Sequence, residues 1–329
     1  MEEILITGGA GYIGSHTTYR AIESGMKVIV VDNLITGHKE ALHPDVKFYE
    51  GDIKDSSLLN RIFSENKISH VIHFAASSLV GESNNNPLKY YSDNLYGTQI
   101  LLECMAKNKI KNIVFSSSAA IYGEQLIMPI KEEANQVPSS PYGETKLAVE
   151  KLLYWCEKAY GIKYVTLRYF NAAGALENGL IGEDHEPESH LIPLVLSVAN
   201  DNKEYISVFG NDYDTHDGTC IRDYIHVQDL AEAHIKSIFY LNELTNKSDA
   251  FNLGTNKGYS VLEVINTVQE ITGISIPVKY LSRREGDPAK LVASSEKAKQ
   301  YLNWTPKNSG LERIIKDAWS WHFKNPKGY

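Results

Sequence analysis

Short, almost uninterrupted apolar runs recur through the first half of this chain, at residues 4–7, 28–32, 47–49, 70–74, 112–116 and 164–168. They are rich in Val and Ile and lack the strict in–out alternation of a strand with one wet face. Near-continuous apolar runs mark parallel strands covered on both sides. Between them lie stretches with helical patterning, at residues 15–24, 56–66, 91–107 and 142–160. Repeated strand–helix–strand units predict an α/β fold, a doubly wound parallel sheet of the Rossmann type.

The pattern changes near Phe170. The segment NAAGALENGLIGEDHEPESH is rich in Gly, Asn, Glu and Pro and predicts a long loop. After it the chain predicts helices at 191–200, 227–241 and 260–272, with short strands at 205–209, 219–225 and 278–280. The organisation expected is a dinucleotide-binding domain over residues 1–171. A smaller α+β substrate domain over residues 172–329 exchanges some elements with it.

Composition narrows the partners. With 329 residues, 43% hydrophobic and 22% charged, the chain has the make-up of an ordinary globular protein with ample core. Its formal net charge of −8 argues against nucleic acid or an anionic membrane as principal partner. Cys104, Cys156 and Cys220 are scattered and form no CxxC pair, so neither a disulfide framework nor a zinc site is expected and a reducing, cytoplasmic setting is. No secretion signal or membrane span is read from the sequence, and the sequons at Asn246 and Asn303 read as chance.

The run ILITGGAGYIGS joins the first strand to the first helix through Gly8, Gly9, Gly11 and Gly14. Glycines let the backbone turn tightly and approach a pyrophosphate, and the helix N-terminus offers it free N–H groups. The second strand ends in VIVVDN, at Asp32. An acid there accepts hydrogen bonds from an adenosine ribose and repels a 2′-phosphate, which favours NAD over NADP.

In SSPYGETKLAVEKLL, Ser140 is a candidate N-cap and Pro141 a first helical residue. Tyr142 and Lys146 then lie one turn apart on one face. A phenol titrates near pH 10, too high for a base at neutral pH. An adjacent ammonium, a helix N-terminus and a nicotinamide cation all favour the phenolate. The fifth strand ends at Ser116–Ser117–Ser118, so a hydroxyl stands at the sheet edge where ligands bind in such folds.

The motifs TGGAGYIG, HFAA, SSSAAIYG, PYGETK, RYFNAAG, ESHLIP, FGNDY, RDYIHV and RREGD occur in this order along nearly the whole chain. Together they resemble the extended short-chain dehydrogenase/reductase family, most closely its branch of UDP-hexose 4-epimerases. The resemblance implies NAD-dependent interconversion of UDP-galactose and UDP-glucose, with Tyr142 as acid/base, Lys146 as its tuner and ribose binder, and Ser118 orienting sugar and phenol. For NAD it implies Gly8, Gly11, Tyr12, Ile13, Gly14, Asp32, Asn33, Thr36, Asp52, Ile53, Phe74, Ala75, Ala76, Asn94, Lys146 and Phe170. For the UDP-sugar it implies Ser118, Tyr142, Asn171, His190, Leu191, Phe209, Arg222, Arg284, Asp287 and Leu291. Arg222 and Arg284 suit a diphosphate through paired donors. A homodimer through the helices at 91–107 and 142–160 is implied as well.

Two departures from the family's pattern stand out. Ser78 occupies a place where some members carry a lysine near the NAD phosphates, which implies weaker cofactor retention. Leu291 replaces a tyrosine of members restricted to non-acetylated sugars, which leaves room for UDP-N-acetylglucosamine. A nucleotide-sugar 4,6-dehydratase shares the hydride step but needs acids beside the active-site hydroxyl, where this chain has Ala119 and Ala120. A non-catalytic dinucleotide sensor has no need to keep Tyr142, Lys146 and Ser118 together. His70 and His73 read as core residues, and GEDHEPESH as a substrate-side loop without the ligand spacing of a defined metal site.

Overall fold

The computed structural model describes residues 3–243, 247–284 and 287–329. Asn246 of one sequon and residues 285–286 of the RREGD motif lie outside the described residues. A seven-stranded sheet organises the molecule, in the order Asp249–Asn252, Lys163–Arg168, Asn112–Ser116, Ile68–His73, Glu3–Thr7, Lys27–Asp32, Lys47–Glu50. Every neighbouring pair in it runs parallel. The strand order reverses between Glu3–Thr7 and Ile68–His73, and the crevice at such a switch point is where ligands bind in open α/β sheets.

The two-residue period of a strand divides its side chains between two cores. Ile4 and Ile6 join Val28, Val30, Ile72 and Val114 on one face, under helices Tyr12–Glu23 and Val227–Asn242. Leu5 joins Ile29, Val31, Val71 and Phe115 on the other, under helices Ser56–Glu65, Gly97–Lys107 and Pro141–Tyr160. Each such aliphatic side chain contributes roughly 1.5–3 kcal/mol by leaving water. Both faces being covered explains why the strands read as continuous apolar runs.

Several elements escaped the sequence reading. Asp249–Asn252, sequence DAFN, has little β-propensity of its own and is a strand because Asp249, Ala250, Phe251 and Asn252 pair with Val165–Arg168. It carries the sheet across residue 172, so the later half of the chain contributes both this edge strand and the covering helix Val227–Asn242. Helices Glu296–Leu302 and Leu311–Lys324 were also not anticipated. The predicted helix at 91–107 is a π-helical stretch Tyr91–Tyr96 followed by Gly97–Lys107, with a short helix Pro87–Tyr90 leading into it.

A third core lies between helices Leu191–Ala199, Val261–Thr272 and Leu311–Lys324, against the parallel pair Ile206–Phe209 and Val278–Leu281. The predicted loop opens with a strand instead, Asn171–Ala173, which pairs with Tyr224–His226 and ties this core to the sheet's ligand edge. No helix of the described residues is long and apolar enough to cross a membrane.

Candidate active site

Three side chains singled out by the sequence converge at the carboxyl end of strand Asn112–Ser116. Ser140 caps helix Pro141–Tyr160 by accepting from the Gly143 N–H at 3.2 Å, with Pro141 as the first helical residue. That start places Tyr142 in the first turn and Lys146 one turn later. Ser118 begins the 3₁₀ turn Ala119–Tyr122 by accepting from the Ala120 N–H at 3.1 Å, and its hydroxyl also bonds the Tyr142 phenol. Lys146 is 4% exposed and donates to the Ser116 carbonyl at 2.8 Å, with Nζ 5.8 Å from the centre of the Tyr142 ring.

Burial pushes the Tyr142 phenol up and the Ser118 hydrogen bond draws it back. Lys146 Nζ does not bond the phenol; it donates to the Ser116 carbonyl. Burial lowers Lys146 to about 8, with Glu150 opposing. A lysine whose charge is so weakly held is poised to gain a better partner.

Beneath these residues lies a buried polar layer that motif reading did not find. Arg168 grips Glu150 with two donors, at 3.0 and 2.5 Å, and donates to the Tyr122 hydroxyl at 2.8 Å. Tyr122 donates to Asn252 at 2.7 Å, and Ser117 to Glu150 at 2.6 Å. The one available signal was Glu150, a full turn beyond Lys146 on the same helix. His73 spans Thr7 and Thr98 with 2.7 Å bonds at each ring nitrogen, in keeping with a core histidine.

The glycine turn sits at the switch point. Gly8 has φ +72°, and a Cβ there would lie 2.6 Å from the Ala75 nitrogen. A Cβ on Gly14 would lie 2.1 Å from the Gly8 carbonyl oxygen. No side chain caps the helix that begins at Tyr12, so its first-turn N–H groups are free for an anion. Asp32 accepts from the N–H groups of Ala10 and Leu34, at 3.0 and 2.9 Å, which anchors its carboxylate at the end of the turn. Asn33 donates to Asp52 at 3.3 Å, Ile53 is buried beside them and Thr36 is exposed. Phe74, Ala75 and Ala76 continue strand Ile68–His73 along the same edge, half-buried. Asn94, in the π-helical stretch, closes a two-way bond with the Ser77 backbone at 2.8 and 3.0 Å. These residues fit a dinucleotide: a side-chain-free turn, free N–H groups and an acid at the second strand's end.

The residues expected to hold the nucleotide-sugar form a second group. Arg222 donates to Asp287, while the Arg284 guanidinium stacks 4.0 Å over the Phe209 ring. Burial pushes the Cys220 thiol up, and Arg222, Asp287 and Arg284 lie near enough to act on it as well. Asn171 bonds the Asp223 carbonyl through its side chain at 3.2 Å, linking this group to the sheet edge. Leu291 packs with Phe170 against Ala119, Ile121 and Tyr122, just beyond Ser118. His190 is the N-cap position of helix Leu191–Ala199, and its ring is paired with Glu183.

Residues 4–254 match the model of the NAD dependent epimerase/dehydratase family. The chain belongs to that family. Among similar members is a UDP-glucose 4-epimerase of Halalkalibacterium halodurans, 56% identical over 326 residues, which are 99% of this chain and 97% of the other. A crystal structure of a UDP-glucose 4-epimerase superposes with a TM-score of 0.98 at 51% identity, covering 100% of this chain and 99% of the other. The enzyme of that name from Brucella ovis, solved in complex with NAD, gives a TM-score of 0.95 at 44% identity, covering 97% and 98%. In this NAD dependent epimerase/dehydratase family member, then, the turn, the acid and the Ser118–Tyr142–Lys146 group stand along one sheet edge.

Proposed function

We propose that this chain is an NAD-dependent UDP-hexose 4-epimerase that interconverts UDP-galactose and UDP-glucose. The observation that carries the reading is the Ser118–Tyr142–Lys146 group, seated beside a side-chain-free dinucleotide turn in a chain similar end to end to UDP-glucose 4-epimerases. Bound NAD supplies a hydride acceptor for C4 and then the hydride donor, and its cationic ring favours the phenolate.

Tyr142 takes the proton of the sugar 4-hydroxyl as C4 loses hydride, leaving a ketone on the substrate. Ser118 holds both the sugar hydroxyl and the phenol in line. Once the ketose has turned over, hydride re-enters C4 from the opposite face and Tyr142 returns its proton to O4. Lys146, whose charge is made costly by burial while it donates to the Ser116 carbonyl, holds its proton more tightly when an anionic phenolate forms beside it. Arg222, Arg284 and Asp287 hold the diphosphate and ribose, so that the sugar turns while its handle stays fixed. Ala119 and Ala120 bring no acid to the turn after Ser118, so no residue there eliminates water as a 4,6-dehydratase must.

The assay is direct: UDP-galactose is incubated with the protein and UDP-glucose is followed without added reductant. Absence of UDP-glucose from protein that still holds NAD would turn the reading toward a non-catalytic dinucleotide sensor. The place of Leu291, an aliphatic side chain beside the turn after Ser118, supports a second substrate pair, UDP-N-acetylglucosamine and UDP-N-acetylgalactosamine. Lack of turnover at high enzyme concentration removes that pair.

The working form we propose is a cytoplasmic homodimer. Trp155, 65% exposed, stands with exposed Tyr154 on helix Pro141–Tyr160, and Leu88, Tyr91 and Tyr96 are exposed just ahead of helix Gly97–Lys107. Such apolar exposure fits helices paired across a subunit interface. Three free, buried cysteines fit a reducing compartment.

A further inference from the structure

The loop that precedes helix Leu191–Ala199 gathers Glu183, His185, Glu188 and His190, and one ligand atom from each lies within 4.8 Å of all the others. His185 Nδ1 stands 3.4 Å from Glu183 and 3.7 Å from Glu188, and His190 Nδ1 stands 4.0 Å from Glu188 and closer still to Glu183. A tetrahedral ion with bonds of about 2.0–2.1 Å holds its ligand atoms roughly 3.4 Å apart. The cluster therefore needs only a small contraction to close on one. Its donor set, two imidazoles and two carboxylates, suits zinc better than magnesium or calcium.

A second observation points the same way. Glu183 is 3% exposed, and among the described residues its ion pairs are with His185 and His190, not with lysine or arginine. A buried carboxylate needs a positive partner, and the partners here are imidazoles, which carry charge only when protonated. A divalent ion at the centre serves both carboxylates at once.

We propose that Glu183, His185, Glu188 and His190 form a structural Zn²⁺ site. All four positions are filled from the chain, so the ion has no open place for substrate and takes no part in the chemistry. Its effect is mechanical. The loop touches the dinucleotide turn, where the His185 ring meets Tyr12 edge-on and Tyr12 donates to the Gly174 carbonyl at 2.7 Å. The same loop leads straight into helix Leu191–Ala199. A metal clip there joins the cofactor side of the molecule to the substrate side within eight residues of chain.

The test uses full-length protein stripped with chelator, reloaded with Zn²⁺ and freed of excess by gel filtration. Elemental analysis is expected to find about one zinc per chain, with a raised melting temperature relative to stripped protein. His185→Gln and Glu188→Gln are each expected to weaken retention at least tenfold while circular dichroism stays as in the wild type. Loading the unmodified chain with Co²⁺ gives a readout that needs no variant: intense visible bands mark a tetrahedral site. Wild-type protein that retains no zinc, variants that retain it equally, or weak octahedral cobalt bands would each overturn the proposal, leaving ion pairs alone to explain the cluster.

Discussion

Tyr142 and Lys146 show how burial and hydrogen bonding set the chemistry of single residues. Tyr142→Phe removes the proposed proton carrier and keeps the ring, so kcat for epimerisation is expected to fall by roughly 10²–10⁴-fold. Binding of NAD and UDP-sugar, measured by titration, is expected to persist; near-normal turnover would remove Tyr142 as the acid/base. Lys146 is lowered by burial from 10.5 to about 8. Between about pH 8 and 10.5 the unfolded chain then holds more protons at this site than the folded one. Stability from this group accordingly rises with pH across that window and is lost as pH falls through 8. Lys146→Met is expected to stabilise the cofactor-free protein at pH 7 by about 2 kcal/mol while reducing turnover. Urea midpoints of variant and wild type at pH 7 and pH 10.5 check this, and the gain should shrink at the higher pH.

Elements place these residues by their ends. The helix carrying Tyr142 begins where it does because of Ser140 and Pro141, and the glycine turn leaves helix Tyr12–Glu23 with an open N-terminus. Gly14→Ala puts a methyl 2.1 Å from the Gly8 carbonyl, where only backbone can give way. Overpacking of this kind costs about 1–3 kcal/mol. NAD affinity is expected to fall at least tenfold, measured by tryptophan fluorescence titration; unchanged affinity would show that the turn tolerates the methyl. At this scale the sequence was informative wherever an element carried its own signals. Helix starts at Ser140 and Ser56 and the strand Asn112–Ser116 were legible because caps and apolar runs are local. Asp249–Asn252 was not, since its pairing with Lys163–Arg168 is what makes it a strand.

Across the whole molecule, the buried Arg168–Glu150 pair joins the sheet to helix Pro141–Tyr160, and Tyr122 extends it to Asn252 on the edge strand. Arg168→Met leaves the Glu150 carboxylate buried without its partner, a loss of about 3–5 kcal/mol. Its melting temperature is expected to drop by several degrees, with part of the loss restored in the Arg168→Met, Glu150→Gln double variant. Equal melting of single variant and wild type would mean that the pair is dispensable. The apolar side chains exposed on helix Pro141–Tyr160 make the prediction for assembly. Trp155→Glu is expected to turn a dimer into monomers in sedimentation velocity, and a wild type that sediments as a monomer would end the dimer reading.

By itself the sequence determined the sheet class, the glycine turn, Asp32 and the Ser118–Tyr142–Lys146 group. The sheet class, the turn, Asp32 and the Tyr142–Lys146 pair rest on periodicity, capping or short spacing, which act within a turn or two of chain, while Ser118 joined that pair through the family resemblance. Only the tertiary structure decided that Lys146 donates to the Ser116 carbonyl, and that Arg168, Glu150, Tyr122 and Asn252 form one buried layer. It also gathered Glu183, His185, Glu188 and His190 into a compact set of ligand atoms from a loop with no regular period. Burial and non-local pairing produce these features, and neither is encoded in any single stretch of residues.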